Sequence, residues 1–191
     1  SLAQGTSCIP VPISARLDLF KAPVLPEVAE EISEAVARLA NDIRDNYDIV
    51  IADTGQFWSG LTGELLCNSS LVLIVMDQRR ASAYGAIKAL ELCQRLGIPM
   101  ARIAFVLNRA SGMSHSEIER IEDSLGCEEL FHLADGKTTI EALVGMGRIE
   151  ELVEEGPAPI PDIELLLTKL LPRIGIEFPA IERKKTRRFF T

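Results

Sequence analysis

Polar side chains follow several apolar runs of strand length, and their types suit nucleotide chemistry. Asp53 ends one run, Asn108 and Arg109 follow a second, and Asp135 follows a third. A carboxylate at the end of a buried strand is costly unless it is bonded or serves a ligand. Such an acid can orient water on Mg²⁺, and an amide can both donate to and accept from the edge of a base. These residues are therefore our candidates for a binding site.

Each candidate has a structural alternative that the residues alone leave open. Asp53 could instead cap the helix predicted to begin near Gly60, or anchor a turn. Asn108 is also a common loop residue where left-handed backbone geometry is wanted. Trp58, in the loop after Asp53, is either a core residue or a contact residue.

The segment Gly136-Lys-Thr-Thr139 resembles the end of a phosphate-binding loop but lacks the rest of it. The full loop needs a glycine five residues before its last one, so that backbone N–H groups can wrap the phosphates. That position is Phe131, inside a predicted strand. We therefore predict a strand-to-helix turn here, with a helix N-terminus that favours anions. Asp77 is likewise interpreted as a turn residue, before a solvated helix start at Arg79.

Apolar runs alternate with segments of helical period, which predicts an α/β fold. After a short alternating run over 16–22, the predicted strands span 48–53, 70–76, 102–107 and 129–133. The predicted helices span 28–43, 81–96, 114–125, 138–145, 148–155 and 163–171. The predicted strands over 48–53, 70–76 and 102–107 have no polar face, so we expect them to be covered on both faces. Right-handed βαβ crossovers then give a Rossmann-like parallel sheet in a three-layer α/β/α fold, with ligands at the carboxyl ends of the strands.

Composition favours a cytoplasmic protein. The 191 residues are 47% apolar, with no run of about 18 apolar residues and no visible secretory signal. The four widely spaced cysteines are expected to be reduced packing residues. The net charge of −8 argues against broad nucleic-acid binding by the body of the domain.

The C-terminal end has a different composition, so we predict a domain over 1–175 and a basic tail over 176–191. Cations and two phenylalanines combine there, which favours an anionic membrane surface at the inner face of the membrane. Nucleic-acid phosphate and a plain disordered tail are the alternatives. The cations are Arg183, Lys184, Lys185, Arg187 and Arg188.

An ordered set of motifs resembles the ParA/MinD class of P-loop ATPases, whose phosphate loop is the deviant Walker A form. Asn46-Tyr-Asp-Ile-Val-Ile-Ala-Asp-Thr54 is similar to their YDhVhhDT strand, and Ala101 to Arg109 to their hhhVhNR segment. Leu125 to Gly147 resembles their ending, and Ala142 to Arg148 looks most like the CpaE/TadZ pilus-assembly branch. The first strand and the P-loop of the family should precede residue 1.

By resemblance, Asp53 is the switch carboxylate that reads Mg²⁺ through water and senses the γ-phosphate of ATP. Asn108 matches the residue that contacts adenine, with Arg109 beside it. The loop around Leu133 and Asp135 would complete the base pocket, with Leu133 in place of the usual proline.

The resemblance also implies a homodimeric ATPase, or a fragment of one, that acts in nucleotide-dependent positioning or assembly. Pilus assembly, cell division and DNA partitioning are the processes that such proteins serve. The alternative is a non-catalytic ParA-like scaffold that keeps the fold for dimerisation and partner binding.

Overall fold

The structure, a computed structural model, describes residues 10–20, 43–56 and 58–178. The chain divides into two compact units, Ser1–Ser69 and Ser70–Thr191, which we describe one at a time. The helix predicted over 28–43 lies almost entirely outside the described residues, and the five cations of the basic tail lie wholly outside them. The predicted boundary at residue 175 therefore stays a prediction.

The described residues of the first unit include a small hairpin and a helix. Strands β1 (Val11–Ser14) and β2 (Leu17–Leu19) pair antiparallel, and helix α1 spans Gly60–Asn68. The Tyr47 hydroxyl donates a 2.6 Å hydrogen bond to Asp18, and its ring meets that of Phe20 edge-on. That hydrogen bond to a carboxylate raises the pKa of Tyr47. These contacts hold the hairpin against the segment that leads to residue 48.

The run 48–53, predicted to be a buried strand, has no regular secondary structure, so this prediction is wrong. Ile51 is 88% exposed, and Ile49 and Val50 are close to half exposed. β-Branched residues favour a strand, but a strand forms only where a neighbour supplies pairing and cover. No described strand pairs with this run. The run therefore has the composition of a strand but no strand partner among the described residues.

The second unit is built on a parallel sheet in the order β3-β4-β5. Its strands are β3 (Val72–Met76), β4 (Ile103–Ala110) and β5 (Leu130–Ala134). Strands β3 and β4 pair residue for residue, from Val72 opposite Ile103 to Met76 opposite Leu107. The three predicted strands are confirmed, and β4 runs three residues further than expected.

Five helices of the second unit lie within the described residues: α2 (Arg80–Arg95), α3 (His115–Leu125), α4 (Lys137–Gly145), α5 (Ile149–Glu155) and α6 (Ile160–Leu170). The predicted capping box between Ser114 and Glu117 is present, and in it the Glu117 carboxylate accepts the Ser114 N–H at 2.9 Å. Gly126 ends α3 in the left-handed region at φ 60°, as expected of a C-terminal glycine. In the part of the chain described, no helix combines the length and apolarity needed to cross a bilayer.

The helices cover both faces of the sheet, which confirms the three-layer α/β fold. On one face, Leu166 and Leu170 of α6 pack in a buried cluster with Ala104, Val106 and Phe131. Residues that pair directly across parallel strands point to the same face. Val72, Ile74 and Met76 of β3 therefore lie on the face of the sheet opposite to this cluster, where α2 packs against that strand.

Among the described residues, strand β3 is covered on one face only, which differs from the expectation that it is covered on both. Its alternate residues Val72, Ile74 and Met76 are buried, whereas Leu73 and Val75 are 46% and 57% exposed. The α6 cluster takes its strand residues from β4 and β5. Within the part of the chain that the structure describes, this edge strand is consequently left open on that face.

Candidate functional site

The carboxyl ends of β4 and β5 border a cavity of about 380 Å³. Asn108 and Arg109 line it from the end of β4, and Asp135 lines it from the turn after β5. Because neighbouring parallel strands end at the same edge of a sheet, residues 27 positions apart meet there. Three of the five predicted site residues are thus brought together. The full lining is Asn108, Arg109, Ala134, Asp135, Gly136, Lys137, Thr138, Ile140, Glu141 and Pro159.

Asn108 and Arg109 form a bulge at the end of β4. Leu107 pairs with His132 and Ala110 with Ala134, so two residues of β4 stand opposite one residue of β5. The Arg109 N–H donates to Asn108 Oδ1 at 3.0 Å, and Arg109 takes a φ of 56°. The left-handed residue is therefore Arg109 and not Asn108, at a cost of about 1–2 kcal/mol for a residue with a side chain. Bulges that re-aim side chains are frequent beside binding sites.

The turn between β5 and α4 supplies a second wall. Asp135 Oδ1 accepts the Lys137 N–H at 3.0 Å, and Lys137 also has a positive φ, 48°. The predicted strand-to-helix turn is confirmed. A methyl group on Gly136 would overlap Ile140 Cγ1 and lie 2.6 Å from the Ala158 carbonyl oxygen. Gly136 is thus required for close packing here, and the segment does not form a phosphate-wrapping loop.

The linker between α5 and α6 closes the cavity on another side. Pro159 lines it, and the Ala158 carbonyl faces Gly136. Asp162, in the first turn of α6, accepts the N–H of Ala134 at 2.8 Å. Sequence reasoning missed these residues because the contacts join positions about 25 residues apart. The Pro-rich composition of the linker gave the only signal that it has a defined shape.

The side chains at the cavity carry balanced charge. Arg109 and Lys137 supply cations, and Asp135 and Glu141 supply carboxylates. With the Asn108 amide, the cavity offers both hydrogen-bond donors and acceptors. This inventory suits a neutral, polar ligand better than a strongly anionic phosphate chain.

Leu133 is placed differently from its predicted role. It is not among the residues that line the cavity, and its side chain packs against the cluster under α6. Adjacent residues of a strand point to opposite faces, and the face of Leu133 is fixed by its neighbour Phe131 two positions away. Leu133 therefore supports the wall from behind.

Asp53 belongs to the first unit and is exposed. Its Oδ1 accepts the Gly55 N–H at 3.2 Å, so it anchors a turn, one of the two structural alternatives. It does not cap α1, because Ser59 accepts the Thr62 N–H at 3.2 Å and fills that role. Trp58 nearby is 56% exposed, which favours a contact residue over a core residue.

An ion pair lies just after the end of β3. Asp77 accepts hydrogen bonds from the backbone N–H and the Nε of Arg79, at 3.0 and 2.7 Å. The hydrogen bond from the guanidinium is the main reason that the pKa of Asp77 is lowered. The adjacent Gln78 accepts the Ser111 N–H at 3.4 Å, which joins the loops after β3 and β4. Asp77 is thus the turn residue that the sequence predicts.

Comparison with known proteins supports a ParA-like fold. No protein-family model matches the sequence, and no curated protein matches it. The structure is similar to the crystal structure of a ParA family ATPase from Chlorobium tepidum TLS, with a TM-score of 0.66 and 25% sequence identity. The match covers 75% of this chain and 60% of that one. The chain therefore spans about three fifths of the length of that ATPase, and its fold is ParA-like.

Proposed function

We propose that the cavity at the ends of β4 and β5 binds the base of a purine nucleotide, as part of a ParA-like ATPase. The observation that carries this proposal is the meeting of Asn108, Arg109 and Asp135 at one cavity, at the carboxyl edge of a parallel sheet. Ligands of open α/β folds bind at that edge.

Asn108 is the residue most suited to read the base. Its Oδ1 is engaged by the Arg109 N–H, which fixes the plane of the amide. The amide nitrogen then remains as the donor that a ring acceptor of a purine can take. A group held in this way loses less conformational entropy on binding than a free side chain does.

Phosphate binding and hydrolysis need more than this cavity. The sequence contains no glycine-rich loop ending in Lys and Ser or Thr, and Gly136 to Thr139 forms a turn and a helix start instead. We propose that Asp53 reads Mg²⁺ and the γ-phosphate where such a loop is present. Positioning or assembly as a homodimer, in pilus assembly, cell division or partitioning, is the process we propose on the family resemblance alone.

A non-catalytic ParA-like scaffold is the second candidate function. The face of β3 at Leu73 and Val75, which is open among the described residues, favours it, since exposed apolar patches mark interaction sites. Contact of the basic tail with a membrane surface or nucleic acid would suit either function.

Calorimetry with ATP·Mg²⁺ and with adenosine tests the proposal on this chain. We expect both to bind with a Kd on the order of 1 mM, because a base alone makes few contacts. Their Kd values should agree within about tenfold. Asn108→Ala should weaken both about tenfold, whereas Asn68→Ala, on α1, should change neither.

If neither ATP·Mg²⁺ nor adenosine binds, the proposed nucleotide function is contradicted. The non-catalytic scaffold then remains as the candidate function. Binding of ATP about a hundredfold tighter than adenosine would contradict a site for the base alone. It would instead indicate a phosphate site in this chain, and Asp53→Ala would then be the variant to measure.

A further inference from the structure

The cavity depends on one long-range hydrogen bond between its wall and helix α6. Asp162 Oδ2 accepts the N–H of Ala134 at 2.8 Å, and both residues are half-buried. Ala134 is the last residue of β5 and lines the cavity. Asp135 and Gly136, which follow it directly, also line the cavity. The hydrogen bond therefore fixes the point at which the wall leaves the sheet.

The same end of α6 contacts the wall a second time. The Ala158 carbonyl faces the Cα of Gly136 so closely that a methyl group there would lie 2.6 Å from it. Pro159, which follows, lines the cavity and comes directly before α6. The start of α6 thus touches the wall through one side chain and through the backbone that leads into the helix.

We propose that Asp162 is a positioning residue, which holds the turn from Ala134 to Lys137 in the form that lines the cavity. The link to nucleotide affinity rests on the proposed function, whereas the effect on the turn does not. Through this contact the occupancy of the cavity is coupled to the position of α6, whose Leu166 and Leu170 are part of the core.

A purely local role for Asp162 is the competing explanation. An acidic residue in the first turn of a helix is stabilised by the helix dipole, whatever it contacts. That role depends on charge, whereas the hydrogen bond to Ala134 depends on an acceptor oxygen. Asparagine keeps the acceptor and removes the charge, so Asp162→Asn separates the two explanations.

The experiment compares Asp162→Ala, Asp162→Asn and the control Thr168→Ala in the full chain. Thr168 lies on the same helix, and among the described residues its hydroxyl donates to the Glu164 carbonyl in the turn before it. Two quantities are measured: the exchange rate of the Ala134 amide without ligand, and the Kd for ATP·Mg²⁺. Loss of one hydrogen bond is worth about tenfold in an equilibrium. We therefore expect Asp162→Ala to raise both quantities about tenfold.

Asp162→Asn and Thr168→Ala should leave both quantities within about threefold of the wild type. The proposal is overturned if Asp162→Asn changes the exchange rate as much as Asp162→Ala does, or if neither changes it. Should Asp162→Ala fail to fold, preserved exchange in Asp162→Asn still supports the acceptor role and a tenfold rise still overturns it. If wild type binds no nucleotide, the proposed function fails and the exchange rates alone decide the role of Asp162.

Discussion

The turn at Asp53 and the turn at Asp135 both follow an apolar run, and both close when an aspartate Oδ1 accepts a backbone N–H two residues later. Their surroundings differ. The run before Asp135 is strand β5, paired with β4 and packed under α6, whereas the run before Asp53 is unpaired among the described residues. The turn after β5 also meets the linker before α6, which leaves no room at Gly136.

This comparison separates what a turn needs from what a site needs. An aspartate two residues before a free N–H is enough to close a turn. A binding site also needs walls from other parts of the chain, and the turn at Asp135 obtains them from β4, α4 and the linker before α6. Variants in the two regions, and in the turn after β3 as a third case, test how far these turns differ.

Truncation of the apolar residues should give the largest contrast. Leu107 is fully buried in β4. Leu107→Ala should lower the free energy of unfolding by about 3 kcal/mol, because the lost contacts leave a cavity. Ile51→Ala should change it by less than about 0.5 kcal/mol, since the side chain is exposed. Urea unfolding followed by far-UV circular dichroism measures both. A loss of about 2 kcal/mol or more for Ile51→Ala would show that its run is buried in solution, and the comparison would fail.

Alanine at the two turn glycines should give the next largest effects, for different reasons. Gly136→Ala should cost about 2 kcal/mol, because its methyl group has no space. Gly55→Ala should cost about 1 kcal/mol, because Gly55 has open space but a φ of 62°. Gly85→Ala is the control, in the interior of α2 with open space, and should stabilise by about 1 kcal/mol. Thermal unfolding of the three variants ranks them, and equal costs at Gly136 and Gly55 would refute the packing argument.

The turn after β3 gives the smallest effect and a third case. The Arg79 guanidinium bonds to Asp77 and lowers the pKa of that carboxyl, so Arg79→Ala should raise the pKa towards its ordinary value of about 3.9. Because the pKa of Asp77 is lower in the folded state than in the unfolded state, the ion pair stabilises the fold fully at pH values above the pKa of the unfolded state. This contribution is lost as pH falls through the folded pKa. Carboxyl titration by NMR in both proteins tests this, and an unchanged pKa in Arg79→Ala would contradict it.

The sequence predicted the elements of the second unit well because their signals are local. The capping box at Ser114, the glycine at 126 and the apolar runs of β4 and β5 each act within a few residues. They placed Asn108, Arg109 and Asp135 at strand ends, and the parallel topology then brought these residues to one cavity.

The failures concern contacts between distant residues. The run 48–53 has the composition of a strand, but composition cannot supply its neighbour. The packing of Leu133 behind the wall, and the contacts of Ala158 and Asp162 with it, depend on where α6 lies. Nothing within a few residues of these positions encodes that.

The outer edge of β3, with which no described strand pairs, has a consequence for the behaviour of the protein in concentrated solution. Val72-Leu-Ile-Val-Met76 contains no charge, proline or glycine, and its outer side lies at the border of the sheet. An edge of this kind is a template on which an identical strand from another molecule can add. Self-association through this strand should rise with concentration and compete with any specific partner. A partner that covers the strand would therefore also act as a solubilising chaperone for the chain.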